Sequence, residues 1–234
     1  RTAVPACVSL TQATEAGTIY QPDEVRELCA VAHRGETLVH MDGARFANAV
    51  ASLGAGHSPA DLTWRAGVDI LVLGGTKNGA MAAELLVVFG RDLVEPLSIR
   101  WHRAGHRLSK MRFLSAQLEA YLTDDLWLRN ARHANEAAAA IAGGMATISR
   151  VEIVRPVEAN VVFVRLDPAI NASLQSSGFQ FYDWPPYGKD VVRIVTGFAT
   201  TTDDVNGLLA ATRAASERVE GRGQKAEVNL PGID

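Results

Sequence analysis

Ile70-Leu71-Val72-Leu73-Gly74-Gly75-Thr76-Lys77-Asn78-Gly79, followed closely by Leu85-Leu86-Val87-Val88-Phe89, is the stretch that decides the fold. The apolar run over 68–73 reads as a strand buried on both faces. The glycine-rich turn behind it sets a lysine at that strand's carboxyl end. The second apolar run returns too soon for a helical crossover, which predicts one antiparallel strand in an otherwise parallel sheet.

Working outward, residues 37–41 read as a strand ending at Asp42-Gly43, and 6–10 as another ending before Thr11-Gln12. Between them, 23–33 carries Val25, Leu28, Cys29 and Ala32 at helical spacing behind Pro22. Residues 44–53 read as helix, and Ser58-Pro59-Ala60-Asp61 as the capping box of a short one. Continuous Val/Ile/Leu strands alternating with helices predict an α/β fold. Its mostly parallel sheet should carry helices on both faces.

From Arg91 to about 144 the chain reads as helical. Thr123-Asp124-Asp125 is expected to open a long helix through 142, with Gly143-Gly144 as its stop. After Met145 the pattern changes to strands over 151–154, 161–166, 180–182 and 191–195, with helices over 169–176 and 202–216. That predicts a small C-terminal α+β domain of βαβ character. The expected division is 1–122 for a large domain, 123–216 for a linking helix plus the small domain, and 217–234 for a frayed polar tail.

Composition excludes several function classes. The 234 residues are 47% hydrophobic and 21% charged, which suits a packed core rather than disorder. Acids (26) outnumber Lys plus Arg (23), giving a net charge of −3, so a nucleic-acid partner is not expected. The apolar runs are too short to span a bilayer. Cys7 and Cys29 are too few for a disulfide scaffold or a four-cysteine zinc site, and both read as buried small hydrophobes. No metal-ligand cluster and no signal peptide stand out, which points to the cytoplasm.

Two loops carry the chemistry. His40-Met41-Asp42-Gly43-Ala44-Arg45 places a carboxylate at a strand end with an arginine three residues on. Gly74-Gly75-Thr76-Lys77-Asn78-Gly79 places a lysine at the next. Ligands of open α/β sheets bind at the carboxyl ends of strands, so both loops face one crevice. A lysine and an acid there suit pyridoxal 5'-phosphate, which needs an amine for its aldehyde and a carboxylate for its pyridinium nitrogen. An arginine nearby can clamp an amino-acid carboxylate. Read alone, Asp42 and Arg45 fit a helix-start ion pair as well, and Lys77 fits a phosphate contact. Neither nucleotide-binding glycine fingerprint is present.

The chain further resembles the low-specificity L-threonine aldolases, pyridoxal-phosphate enzymes of the aspartate-aminotransferase fold (fold type I). The resemblance rests on Ser9-Leu10-Thr11-Gln12-Ala13-Thr14-Glu15-Ala16-Gly17-Thr18-Ile19-Tyr20, on His40 to Ala49 and on Gly74 to Gly79. It continues through Lys110-Met111-Arg112-Phe113-Leu114 and Pro156-Val157-Glu158-Ala159-Asn160, and so covers nearly the whole chain. It implies that Lys77 bonds the cofactor and that Asp42 holds its ring nitrogen. Arg45 and Arg193 would hold the substrate carboxylate, and Arg112 would reach the phosphate of a neighbouring subunit's cofactor. Thr76 is expected near the lysine or the phosphate, with Thr11 and Gln12 lining the pocket. His40 is expected to be a packed histidine rather than a catalytic one.

The implied reaction is retro-aldol cleavage of L-threonine, L-allo-threonine or related β-hydroxy-α-amino acids to glycine and an aldehyde, in a homodimer or homotetramer. Aminotransfer, β-elimination and a non-catalytic truncated homologue remain the alternatives. Family chains carry a segment ahead of the equivalent of Ala6, with a Gly-Thr phosphate turn and a ring-stacking histidine. This sequence opens at Arg1 without either, so its large domain is expected to be partial.

Overall fold

The computed structural model describes residues 5–228. The first sheet holds β1 (Cys7–Thr11), β2 (Leu38–Gly43), β3 (Ile70–Gly74) and β4 (Glu84–Val88) in that order. The first three strands are parallel and β4 is antiparallel, as the short return after Lys77 predicts. Thr11 pairs with Asp42, and Asp42 with Val72, so the strand ends lie level with one another.

Two helices cover one face of this sheet. α1 (Pro22–Arg34) brings Val25, Cys29 and Ala32, and α2 (Phe46–Leu53) brings Phe46, Ala47 and Val50. They pack on Leu10, Val39, Met41, Leu71 and Leu73. The opposite face is more open than the sequence suggests: Ser9, Leu38 and Leu86 are exposed, and His40, Asp42, Ile70 and Val72 are half-buried. Burial along β2 therefore alternates, Val39 and Met41 inside and His40 and Asp42 on the open side. On that second face α3 and α4 stand beside Leu86 and Val88 of β4, and the strands toward β1 are left more open.

The second sheet has the order β5-β6-β8-β7, built from β5 (Val151–Ile153), β6 (Val161–Leu166), β7 (Tyr182–Asp183) and β8 (Val191–Val195). Every pairing in it is antiparallel, which corrects the βαβ expectation. Although α6 (Pro168–Ser176) follows β6, the chain next adds only a two-residue edge strand beside β8. Val162, Val164 and Leu166 face Ile170 and Leu174 of α6 and Val205, Leu208 and Leu209 of α7 (Thr202–Val228) in a second core.

In the chain between the two sheets come α3 (Val94–Arg103), α4 (Arg112–Leu122) and α5 (Leu126–Met145). α5 serves both cores: Trp127 and Ala131 lie in the first, Ala137, Ala138, Ile141 and Met145 in the second. It does not stop at Gly143-Gly144. A Cβ on Gly144 would stand 2.5 Å from Leu209 Cδ1, so this glycine permits α7 to cross closely.

Three other expectations change. No helix follows Ser58. Asp61 accepts from the Ser58 amide (2.7 Å) and hydroxyl (2.9 Å), but the Thr63 carbonyl then takes both Gly67 and Val68 amides and closes a turn. α7 continues past Ser216 to Val228, since Glu217, Arg218 and Glu220 are good helix formers; residues 229–234 of the expected tail lie outside the described residues. Cys7 is exposed, because β1 turns it to the open face.

Cys29 is buried, and burial with the nearby Asp69 charge pushes its thiol up to about 11. The thiolate is the reactive form. At pH 8 a disulfide reagent should therefore modify Cys7 alone, with Cys29 reacting only after denaturant is added. Two fast equivalents in the folded protein would contradict this packing.

Candidate active site

The site begins with where strands end. Asp42, the penultimate residue of β2, is half-buried on the open face, and its Oδ1 accepts from the Ala44 amide at 2.9 Å. That bond orients the carboxylate and leaves its second oxygen available. The Gln12 amide donates to the Asp42 carbonyl (2.9 Å), which ties the end of β1 to the same place. Gly43 and Gly74 allow the strands and the α2 entry to approach. A Cβ on Gly43 would lie 2.5 Å from the Val72 carbonyl oxygen, and one on Gly74 would lie 2.7 Å from Ala44 Cα.

Lys77 sits on a single helical turn, Thr76–Asn78, after β3. Lys77 and Thr76 are both exposed, and Lys77 makes no hydrogen bond or ion pair among the described residues. The turn itself is firmly held by its third residue. Buried Asn78 donates through Nδ2 to Tyr121 Oη and to the Trp127 carbonyl, each at 2.7 Å, and its own carbonyl accepts from Asn130 Nδ2 at 2.9 Å. An exposed lysine thus stands on a turn anchored to α4 and α5. Sequence reading missed Asn78, although an amide beside the lysine in a glycine-flanked turn was the available signal.

Arg45 and Arg193 approach from different sheets. Arg45 precedes α2, and Arg193 lies on β8. Each has a buried Nε with no hydrogen-bond partner in the protein. Burial and the neighbouring Arg193 push the Arg45 guanidinium below its ordinary value, while Glu15 and Asp42 oppose that shift. Two half-buried arginines, each with a buried unpartnered Nε, could bind an anion, and a carboxylate meets the fork geometry of arginine. Arg193 also lies over the Trp184 ring, 5.1 Å from its centroid. Trp184 packs on Phe163 at 5.7 Å, a support that sequence reading did not single out.

Other expected residues fall elsewhere. Gln12 does not line the crevice. It is wholly buried, and its side chain donates to the Tyr20 carbonyl (2.8 Å) and accepts the Tyr20 amide (3.0 Å). His40 shares the open face with Asp42, and its Nδ1 meets Ser9 Oγ at 2.8 Å. Arg112 is exposed at the start of α4, with its guanidinium 5.4 Å from the Phe113 ring centroid. No hydrogen bond or ion pair joins Arg112 to the Asp42 and Lys77 loops among the described residues. The structure thus gathers Asp42, Arg45 and Arg193, sets Lys77 on the adjacent strand end, and leaves Arg112 apart.

Comparison with known proteins gives three further findings. Residues 2–169 match the beta-eliminating lyase family. The chain is 46% identical over 205 residues to the low specificity L-threonine aldolase of Pseudomonas aeruginosa, and 44% identical over 211 residues to that of a Pseudomonas species. Those alignments take in 87% and 90% of this chain but only 58% and 60% of the relatives. Among solved structures, the threonine aldolase of Leishmania major superposes with a TM-score of 0.80 at 25% identity, over 92% of this chain and 61% of that one.

The Asn78 anchor can be tested directly. Asn78→Ala leaves the Trp127 carbonyl and the Tyr121 hydroxyl short of a buried partner, which should cost about 1–3 kcal/mol in urea unfolding. An unchanged midpoint would show that the turn is held by something else.

Proposed function

The chain is a member of the beta-eliminating lyase family, and from that membership we propose that it holds pyridoxal 5'-phosphate and cleaves β-hydroxy-α-amino acids. L-threonine and L-allo-threonine are the expected substrates, with glycine and an aldehyde as products, following the activity named for its Pseudomonas relatives. One observation carries the reading: an unpaired lysine and a carboxylate stand at adjacent strand ends, and two half-buried arginines each keep a buried Nε without a partner.

These residues fit the cofactor. Lys77 supplies an amine without a competing ion pair, as an aldehyde requires. Asp42, fixed by the Ala44 amide, would accept the ring N–H through its free oxygen. Thr76 and Arg112 are proposed for the phosphate, Arg112 across to a neighbouring subunit. When bound, the cofactor stabilises negative charge at the substrate's Cα.

The protein's own contribution is orientation. Arg45 and Arg193 would grip the α-carboxylate from two sides and fix rotation about the bonds at Cα. Holding the Cα–Cβ bond in the one geometry that cleaves removes rotational freedom before the reaction. Partial burial of both arginines would strengthen that grip, because less water competes for their donors. The same face would exclude a second carboxylate near Asp42, where like charges repel.

A homodimer or homotetramer in the cytoplasm belongs to this proposal. Exposed apolar side chains on β4, α3 and α4, among them Leu86, Val94, Ile99 and Phe113, support association.

Absorbance with added pyridoxal phosphate, borohydride reduction and peptide mapping test the lysine. The chain should gain a visible band and a reduced adduct on Lys77, and Lys77→Ala should lose both. An adduct elsewhere would refute the assignment. Asp42→Ala should retain the band weakly and lose at least about a hundredfold in turnover, the scale of a lost electrostatic contact. Turnover near that of the parent would remove Asp42 from the ring nitrogen. Release of a keto acid without glycine would point to aminotransfer, and release with ammonia to β-elimination.

A further inference from the structure

Arg193 is held by a ring. Its register partners are Phe163 on β6 and Tyr182 on β7. Val192 and Ile194, on either side of it, enter the second core, so Arg193 stands on the other face of that sheet with Val191 and Phe163. It makes no hydrogen bond or ion pair among the described residues. Its guanidinium lies instead 5.1 Å from the centroid of the Trp184 ring.

Trp184 is itself fixed by backbone and by packing. Its amide donates to the Val191 carbonyl at 2.7 Å, which ties it to β8. Pro185 and Pro186 follow in a single turn, closed by the Tyr187 amide on the Trp184 carbonyl (3.2 Å) and the Gly188 amide on the Pro185 carbonyl (2.9 Å). The two prolines leave that turn little backbone freedom. The indole packs on the fully buried Phe163 ring at 5.7 Å, and Tyr187 meets the same ring edge-on at 4.7 Å. Phe163 is backed in turn by the loop between β1 and α1. A Cβ on Gly17 would stand 3.8 Å from Phe163 Cε2 and 3.2 Å from the Val161 carbonyl oxygen. Glu158 pins that loop to the start of β6: its Oε2 accepts the Ile19 amide at 2.8 Å, and its amide donates to the Gly17 carbonyl at 3.3 Å. We propose that Trp184 is a positioning residue for substrate binding, its indole face fixing the Arg193 guanidinium while leaving the donors free for the substrate's carboxylate; this rests on the aldolase reading above.

An aromatic face suits this task better than an acid. A carboxylate beside Arg193 would also hold it, but would occupy the guanidinium fork and cancel the charge that an incoming anion needs. The indole attracts the cation through the negative face of its ring and takes up no directed pair of hydrogen bonds. Arg45 and Arg193 also repel each other, which drives Arg193 away from the place where both could meet one carboxylate. The ring opposes that drift. A long arginine side chain left free would have to be ordered by the substrate itself, at a cost to affinity. With Trp184 in place that ordering is complete before the substrate arrives.

Two measurements on the full chain decide this. With pyridoxal phosphate, Trp184→Met keeps apolar bulk against Phe163 but offers no ring face. It should keep the cofactor band and raise the KM for L-threonine about threefold or more, with kcat falling by a smaller factor, as loss of a binding contact does. Trp184→Phe restores a ring face and should recover most of that loss. A rise in KM smaller than about threefold for Trp184→Met, or equal impairment of the two variants, overturns the proposal. Without cofactor, the parent should bind propionate in an NMR titration that shifts the Trp184 indole N–H signal, identified by its loss in Trp184→Phe. Trp184→Met should bind propionate about threefold or more weakly. No binding by the parent, or a Trp184 signal that stays still at saturation, overturns the proposal even where Trp184→Met fails to fold. Absence of a cofactor band in the parent would defeat the aldolase reading, and the propionate titration would still decide whether Trp184 sets the grip of Arg193 on a carboxylate.

Discussion

Two positively charged side chains, Arg45 ahead of α2 and Arg193 on β8, act on each other, and their repulsion must be offset by the rest of the fold. Repulsion between guanidinium groups grows as water is removed. Asp42 and Glu15 lower it, but neither forms a close ion pair with the arginines. Mechanical support supplies the remainder. Arg193 rests on Trp184, Trp184 on Phe163, and Phe163 stands on β6, where the loop from β1 is pinned.

That pinning belongs to a longer polar seam between the sheets. Asn48 Nδ2 donates to Asn135 Oδ1 at 2.9 Å, and Asn135 Nδ2 returns to the Asn48 carbonyl at 2.9 Å and to Ser52 Oγ at 2.8 Å. Ser52 donates to the Glu158 carbonyl, so the seam runs from α2 through α5 to the loop ahead of β6. Farther along, Thr196 Oγ1 donates to the Ala134 carbonyl at 2.6 Å, and Asn160 Nδ2 to the Thr196 carbonyl at 2.6 Å. Buried amides satisfied in this way fix one relative placement of the two sheets, where an apolar seam would tolerate sliding. The approach of Arg45 and Arg193 is a product of that placement, since one follows β2 of the first sheet and the other lies on β8 of the second.

The parts of this protein legible in its sequence are those set by local pattern. Apolar strand runs located β1, β2, β3, β4, β6 and β8 to within about two residues, the usual boundary error. The Lys77 return revealed the antiparallel strand, because chain length alone forbids a crossover there. Long-range contacts were not legible. Gly144 looks like a helix stop until Leu209 is seen against it, and Gln12 looks like a pocket residue until it is found bonded to Tyr20. The same holds for Asn78 and Trp184, whose importance lies in partners 43 residues away for Tyr121 and in an adjacent strand for Arg193. Motifs named the chemical groups of the candidate site. The scaffold that presents them had to be seen in three dimensions.

The shared helix α5 has a consequence for how the molecule comes apart. Its first turns complete one core with Trp127 and Ala131, and its later turns complete the other with Ala137, Ile141 and Met145. Loss of either core would strip half of this helix of its packing, and an isolated helix of that length is marginal in water. Neither lobe can therefore melt while the other keeps its full stability. Thermal or denaturant unfolding becomes a joint event, with the 20 residues of α5 as the element through which the lobes share cooperativity.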